Sequence, residues 1–351
     1  MQRMIVFSLV AVLVTFSWGQ EKTKKGETPP TLFESDEIPE LTLTQNIKAL
    51  KKDIDEDRSY HPAHLSYADR SGQMVTLKVS VKTRGKTRRN PRLCDSPPLA
   101  IKFNTAETKG TIFQEQKKLK LVTHCKRRKE IYEQYLLQEY LVYRLYTILT
   151  EKSFHVRLVH IHYVDSEEKY KPIKKYAFFI EDENQMAKRN NGQLDESKYQ
   201  YWVFQKKEEQ ILLSVFQFMI GNTDWSIPGR HNVKLIRTGP KNMLFAVPYD
   251  FDMSGIINAS YARPHEKLKD KIKDVHSRLY RGLCRKQEEF TPVIAWFNEK
   301  KEEIYALYNH FPLLNTRYKK NTLRYIDGFY EIINNPLLVK KYLIENCKKL
   351  K

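Results

Sequence analysis

Residues 75–83 alternate strictly, with Val75, Leu77, Val79 and Val81 on one side and Thr76, Lys78, Ser80 and Lys82 on the other. A period of two is the mark of a strand with one buried face. Leu99-Ala-Ile-Lys-Phe103 repeats the pattern, and shorter strand candidates follow at 118–122, 156–163 and 176–180. Among them, Glu130 to Leu149 holds neither Gly nor Pro and sets Leu137, Leu141, Leu145 and Ile148 at helical spacing, which predicts one long helix. From about Asn190 the pattern turns helical, with segments over 208–220, 292–308, 322–333 and 336–346. The chain therefore reads as α+β, with a sheet-rich N-lobe carrying one long helix over 41–189 and a mostly helical C-lobe over 190–351. Two lobes also suit a chain longer than the roughly 250–300 residues at which single cores stop growing.

The ends and the composition narrow the setting. Met-Gln-Arg-Met opens the chain, an apolar run extends from Ile5 to Trp18, and Ser17-Trp18-Gly19 precedes Gln20, so 1–19 reads as a secretory signal peptide. That run falls short of the about 20 residues that cross a bilayer, and no second one follows, so a secreted or periplasmic chain with no transmembrane span is expected. No Cys stands after Gly19 to carry a lipid anchor. Residues 20–40 are polar, charged and Pro-containing, which suits a flexible N-terminal segment. The net charge is +19, or +18 once Arg3 leaves with the signal peptide. Such a field draws phosphate, anionic glycan, acidic protein or a membrane surface, although the same charge also serves solubility. Nucleic acid is disfavoured, because no basic-aromatic motif of recognised type is present. Four cysteines in an exported chain fit one or two disulfides with three complete connectivities, the simplest pairing Cys94 with Cys125 and Cys284 with Cys347. Buried free thiols are the alternative, and no C-x-x-C supports zinc or redox chemistry.

Candidate chemistry concentrates between Gly221 and Asp252. Gly221-Asn-Thr-Asp224-Trp follows an amphipathic helix, Arg-His-Asn232 comes next, and Pro-Tyr-Asp250-Phe-Asp252 closes an apolar run over 243–247. An Asp that orients or deprotonates a hydroxyl, then an Asn and an Asp that ligate Mg²⁺ on a nucleotide, is the order a phosphotransferase uses. Asp250 and Asp252 point the same way if the segment stays extended, and two such carboxylates need a cation between them. The ordinary alternatives are an Asx-turn role for Asp224 and pairing of one Asp with an Arg or Lys. His160 and His162 share a strand face, but no further ligand stands at zinc spacing. With only 12 glycines and neither G-x-G-x-x-G nor a P-loop, no standard glycine-rich loop is available to hold phosphates.

Four segments taken together resemble the CotH family of secreted and spore-coat proteins, which have an atypical protein-kinase-like fold. Arg84-Gly85-Lys86-Thr87 is similar to the family's Arg-Gly-Asn-Ser/Thr turn, and Pro98-Leu-Ala-Ile-Lys102-Phe to the strand that follows it. The helix over 136–149 and the strands at 156–163 and 176–181 resemble the family's central helix and next two strands. Asn222-Thr-Asp224, Asn232 and Pro-Tyr-Asp250-Phe-Asp252 resemble its closing motif, an order also similar to that of HipA-type kinases. Lys86 stands where the family has Asn, and Lys126–Lys129 replaces the Asp-x-x-x-x-Arg-Asn opening of the helix. The resemblance implies ATP with Mg²⁺ or Mn²⁺ as cofactors. Arg84 and Lys102 would lie on the phosphates, with Lys120 in reserve, and Glu139 would fix the lysine, with Glu133 competing. Asp224 would be the catalytic base or orienting group, and Asn232, Asp250 and Asp252 would meet the metal.

Two functions of different class follow. One is an exported phosphotransferase acting on a protein or glycan hydroxyl. The other is a non-catalytic kinase-like module whose basic surface binds an anionic glycan, lipid or protein partner.

Overall fold

In the computed structural model, residues 31–85, 88–197, 206–264, 266–268 and 270–349 are described. The signal-peptide reading over 1–19, most of the flexible-segment reading and Lys86 lie outside the described residues. The chain forms an α+β, two-lobed fold with a sheet-rich N-lobe, a long helix and a mostly helical C-lobe.

The N-lobe comprises β1 (Glu40–Gln45), α1 (Ile47–Lys52), β2 (His61–Ala68), β3 (Met74–Thr83), β4 (Leu99–Phe103), β5 (Lys118–Val122), α2 (Glu130–Leu149), β6 (Val156–Asp165) and β7 (Ile173–Ile180). Its seven strands close into a barrel in the order β1-β2-β3-β4-β5-β7-β6. Closure is made by the parallel pairing of β1 with β6, in which Leu41 faces Ile161 and Leu43 faces Tyr163. The alternation in β3 and β4 turns Val79, Val81 and Ile101 into the barrel, where Phe113 stacks on Phe103 and meets Phe179 edge-on. Closing the sheet removes the unpaired edges that an open one would expose. Pattern reading missed β1 and β2. In β2, inward Ala63, Leu65 and Tyr67 alternate with Pro62, His64, Ser66 and Ala68, a composition that scores poorly as a strand.

Helix α2 is buried over most of its circumference, including Gln138 and Glu139. Its apolar residues join one continuous core with Phe178 and Ile180 on β7 and Phe216 and Phe251 of the C-lobe. A helix apolar on nearly all sides belongs between two layers, and that is its position here.

The C-lobe holds α3 (Glu183–Arg189), β8 (Gly192–Leu194), α4 (Lys207–Met219), β9 (Val233–Thr238), β10 (Met243–Pro248), α5 (Gln287–Glu299), α6 (Lys301–Asn309), α7 (Thr316–Ile333) and α8 (Pro336–Val339). A π-helical turn over Lys340–Ile344 continues α8. Strands β8, β9 and β10 form a small antiparallel sheet, which the helical pattern reading did not contain. The single helix expected over 292–308 is two, because Lys300 ends α5 and begins α6. Disulfides join Cys94 to Cys125 and Cys284 to Cys347, the pairing within halves. No helix among the described residues is long and apolar enough to cross a membrane.

The end of α4 fixes the chain that enters the cleft. Gly221, at φ 64°, donates its N–H to the Phe218 carbonyl at 3.1 Å, and the Asn222 N–H reaches the Gln217 carbonyl at 2.8 Å. This pair of bonds is a Schellman motif with glycine at its left-handed position. A Cβ on Gly221 would run into the Tyr325 hydroxyl and lie 3.3 Å from Gly255 Cα. Gly221→Ala is therefore expected to lower unfolding free energy by about 2–4 kcal/mol, read from urea denaturation. A variant as stable as the parent would show that the turn carries no such constraint.

Candidate active-site cleft

A cavity of about 740 Å³ collects residues from both lobes, among them Arg84 and Arg88 after β3, Glu139 and Tyr143 on α2, Asp224, Asn232, Asp250, Asp252 and Tyr261. The segment after β10 delivers the acidic pair. Phe251 is fully buried with its ring 4.7 Å from that of Tyr143, and the Asp250 N–H donates to the Tyr143 hydroxyl at 2.8 Å. These contacts hold Asp250 at φ 62°, a left-handed conformation that a non-glycine residue adopts only when its surroundings impose it.

Arg88 lies between the two carboxylates, its Nη2 3.4 Å from Asp250 Oδ1 and 3.2 Å from Asp252 Oδ2. Glu139 is buried alongside and accepts a hydrogen bond from the Phe251 N–H. Burial, and then repulsion from Asp252, hold the Glu139 carboxyl well above the usual range, while Arg88 opposes the shift. Burial also pushes Asp252 up to about 6, against the pull of Arg88 and with a further push from Asp250. Tyr261 hydrogen-bonds Asp252, and burial raises its hydroxyl in turn. The Arg88 charge is strengthened because these acidic neighbours outweigh its desolvation.

Asp224 lies on the loop that Gly221 launches. Its N–H donates to Asn222 Oδ1 at 2.9 Å, an Asx-type turn, so the local structural role coexists with placement in the cleft. His231 Nε2 lies 2.7 Å from Asp224 Oδ1, and Asn232 Nδ2 donates to Asp224 Oδ2 at 3.1 Å and to its carbonyl at 2.8 Å. Asn232, at φ 52°, precedes β9, and its carbonyl accepts the Tyr249 N–H at 3.0 Å across the start of the β9–β10 pair. The small sheet thus ties the Asp224 loop to the acidic pair.

The lysine is placed differently from the expectation. Lys102 is exposed on the outer face of β4, opposite Leu99, Ile101 and Phe103, and lies too far along that face to line the cleft. In the β4–β5 register Lys102 opposes Lys118, whereas Lys120 opposes Ala100, one step nearer the strand start. Lys120 Nζ lies 3.2 Å from Glu183 Oε2 and 5.2 Å from the centre of the Tyr249 ring, which borders the cleft. Burial lowers the Lys120 ammonium, Glu183 opposes this, and Arg84 lowers it further. Glu139 faces Arg88 rather than a lysine, and Glu133 is engaged with Lys175 at 3.0 Å and the Tyr176 N–H at 2.7 Å on β7. Sequence reasoning passed over Arg88, His231, Tyr261 and Glu183. Only Arg88 carried a signal, as part of the cluster Arg84, Arg88, Arg89 and Arg92 after β3.

Among the described residues no three His, Cys, Asp or Glu side chains group as a self-sufficient metal site. No family model matches the chain, and no curated protein matches it. One solved structure similar to it is that of the Helicobacter pylori proinflammatory kinase CtkA, at 11% identity and a TM-score of 0.39 over 70% of this chain and 94% of that one.

The acidic pair makes stability depend on pH. Asp252 is held at about 6 against its ordinary 3.8, so the stability it contributes is full below 3.8 and is lost as pH rises through about 6. The gap between 3.8 and about 6 corresponds to about 3 kcal/mol. Asp252→Asn keeps the group neutral, and its unfolding free energy relative to the parent is expected to rise by up to that amount between about pH 4 and pH 8. A difference that stays flat in denaturant titrations across this range would overturn the assignment.

Proposed function

We propose that the cleft is a nucleotide site and that the protein is an exported, atypical kinase-like phosphotransferase. It would use ATP with Mg²⁺ or Mn²⁺ and act on a hydroxyl of a protein or glycan. The observation that carries this reading is the convergence of Asp224, Asn232, Asp250, Asp252 and three arginines in one cavity of about 740 Å³. That volume lies within the range that holds a drug-sized ligand. Carboxylate and amide oxygens are hard donors suited to Mg²⁺, and guanidinium forks match phosphate oxygens. The two disulfides support an oxidising compartment and hence export.

Asp250 and Asp252 would hold the cation, joined by the Asn232 side-chain oxygen, since the Asn232 nitrogen is committed to Asp224. Two carboxylates without a third fit a cation shared with phosphates better than a resident metal. Bound there, the cation would neutralise phosphate charge and orient the transferring group. Asp224 would orient the acceptor hydroxyl and take its proton, with one carboxylate oxygen held by His231 and the other by Asn232. Arg84, which lines the cavity, and Lys120, held by Glu183 beside it, would meet the phosphates.

The contacts of Arg88 also fit a second reading. Its guanidinium already lies between the carboxylates, which is how a non-catalytic module would balance them. Such a module would use the basic surface to bind an anionic glycan, lipid or protein.

Thermal unfolding with and without ATP plus Mg²⁺ or Mn²⁺ separates the two. Saturation at about 100 times Kd stabilises a folded protein by about 2.7 kcal/mol. A metal-dependent rise in the midpoint that is absent from Asp250→Ala is expected, and Arg88→Gln should tighten binding of the metal alone. Asp224→Asn should retain the stabilisation while lowering ADP formation by about a hundredfold or more. A parent protein that responds to no nucleotide would end the phosphotransferase reading and leave the binding module.

A further inference from the structure

Helix α2 presents two neighbouring stripes to two different cavities. Tyr132, Glu139 and Tyr143 border the cleft, while Ile131, Tyr135 and Gln138 border a second cavity of about 730 Å³ whose other walls come from residues 256–258, 276–278 and α7. No Asp or Glu lines this second cavity, but Arg278, Arg317, Arg324 and His276 all do. Arg317 and Arg324 are exposed, and neither forms an ion pair with a carboxylate among the described residues. Arg324 has only the Asn321 side-chain oxygen, at 3.4 Å.

Arg278 is the more telling group. It is only partly exposed and lies 3.7 Å from the centre of the Tyr325 ring, and its hydrogen bonds go to the carbonyls of Met219 and Tyr325. All these partners are neutral, and no carboxylate forms an ion pair with this guanidinium among the described residues. The nearby Asp274 carboxylate is occupied by the Ser277 N–H at 2.9 Å and hydroxyl at 3.0 Å. The first turn of α7, which carries Arg317, contains no acidic residue and adds the positive end of its dipole. Concave shape, three guanidinium groups and no carboxylate wall make an anion receptor, and Tyr318 with Ile256 and Ile257 supplies an apolar side for an attached body.

We infer that this cavity is a second binding site, separate from the cleft, for a small organic ligand bearing a phosphate or sulfate monoester, with Arg317 and Arg324 grasping the oxyanion beside the fixed Arg278. The site stands whether or not the cleft takes a nucleotide. Phosphate and sulfate esters share the tetrahedral oxyanion that the arginine forks recognise, and direct comparison tells them apart.

Calorimetric titration of the full chain with glucose 6-phosphate, glucose 6-sulfate, inorganic phosphate, inorganic sulfate and glucose tests this. One of the two esters should bind more tightly than its bare anion, and glucose should not bind. The double variant Arg317→Ala/Arg324→Ala should weaken the ester by about tenfold or more, with Arg324→Gln alone acting in the same direction. Both are exposed changes, and the thermal midpoint should stay at the parent value. Asp250→Ala should bind the ester as the parent does. The inference fails if neither ester binds, if the bare anion binds as tightly as its ester, or if binding survives the double variant. It also fails if Asp250→Ala loses the ester as fully as the arginine variants, which would place the ligand in the cleft.

Discussion

Arg88 inserts a single guanidinium between Asp250 and Asp252 with Glu139 buried beside them, and the rest of the cleft is arranged around that imbalance of charge. Burial, with repulsion from neighbouring carboxylates, makes Glu139 and Asp252 both titrate high although Arg88 opposes the shift. Tyr261 and the Phe251 N–H supply hydrogen bonds that make the remaining charge tolerable. A buried ionic cluster of this kind is weak evidence for stability, because desolvation cancels much of the attraction.

The scaffold under the cluster is stiff where the chemistry needs it. Helix α2 supplies Glu139 and Tyr143 from within a packed core, and Tyr143 in turn anchors the Asp250 backbone. Asp224 is held by the Schellman end of α4 on one side and by Asn232 and His231 on the other. Three side chains that lie far apart in sequence are thereby connected through short hydrogen bonds and one small sheet. Support of this kind holds side chains in one fixed geometry.

The period-two run over 75–83 and the uninterrupted apolar helix were legible because their burial is one-sided or complete, and pattern reports burial directly. Closure of the barrel was not legible, since β1 and β2 contribute few large apolar residues and close it by pairing whose register no local pattern encodes. Asp224, Asn232, Asp250 and Asp252 all reach the cleft, because they lie beside the ends of α4, β9 and β10, whose boundary signals are local. Lys102 was misplaced for a related reason. Alternation tells which face of β4 it occupies but not how far along that face the cleft lies, and the β4–β5 register sets Lys120 nearer. Arg88 was invisible as a partner because a cluster of arginines in a loop gives no hint of which one turns inward.

The two readings of the cleft differ in where Arg88 rests. Its fork matches the Asp250 and Asp252 carboxylates, so its position follows from electrostatics under either reading. In the phosphotransferase reading, Asp250 and Asp252 would hold a divalent ion and Arg88 would turn to phosphate oxygens, so that every charge would keep an opposite partner. In the binding-module reading Arg88 has no reason to leave, and the cluster is a permanent clasp between the segment after β3 and the segment after β10. The same side chain is therefore either the occupant of a metal position awaiting exchange or the fastener of two lobes, and only its displacement by a cation distinguishes them.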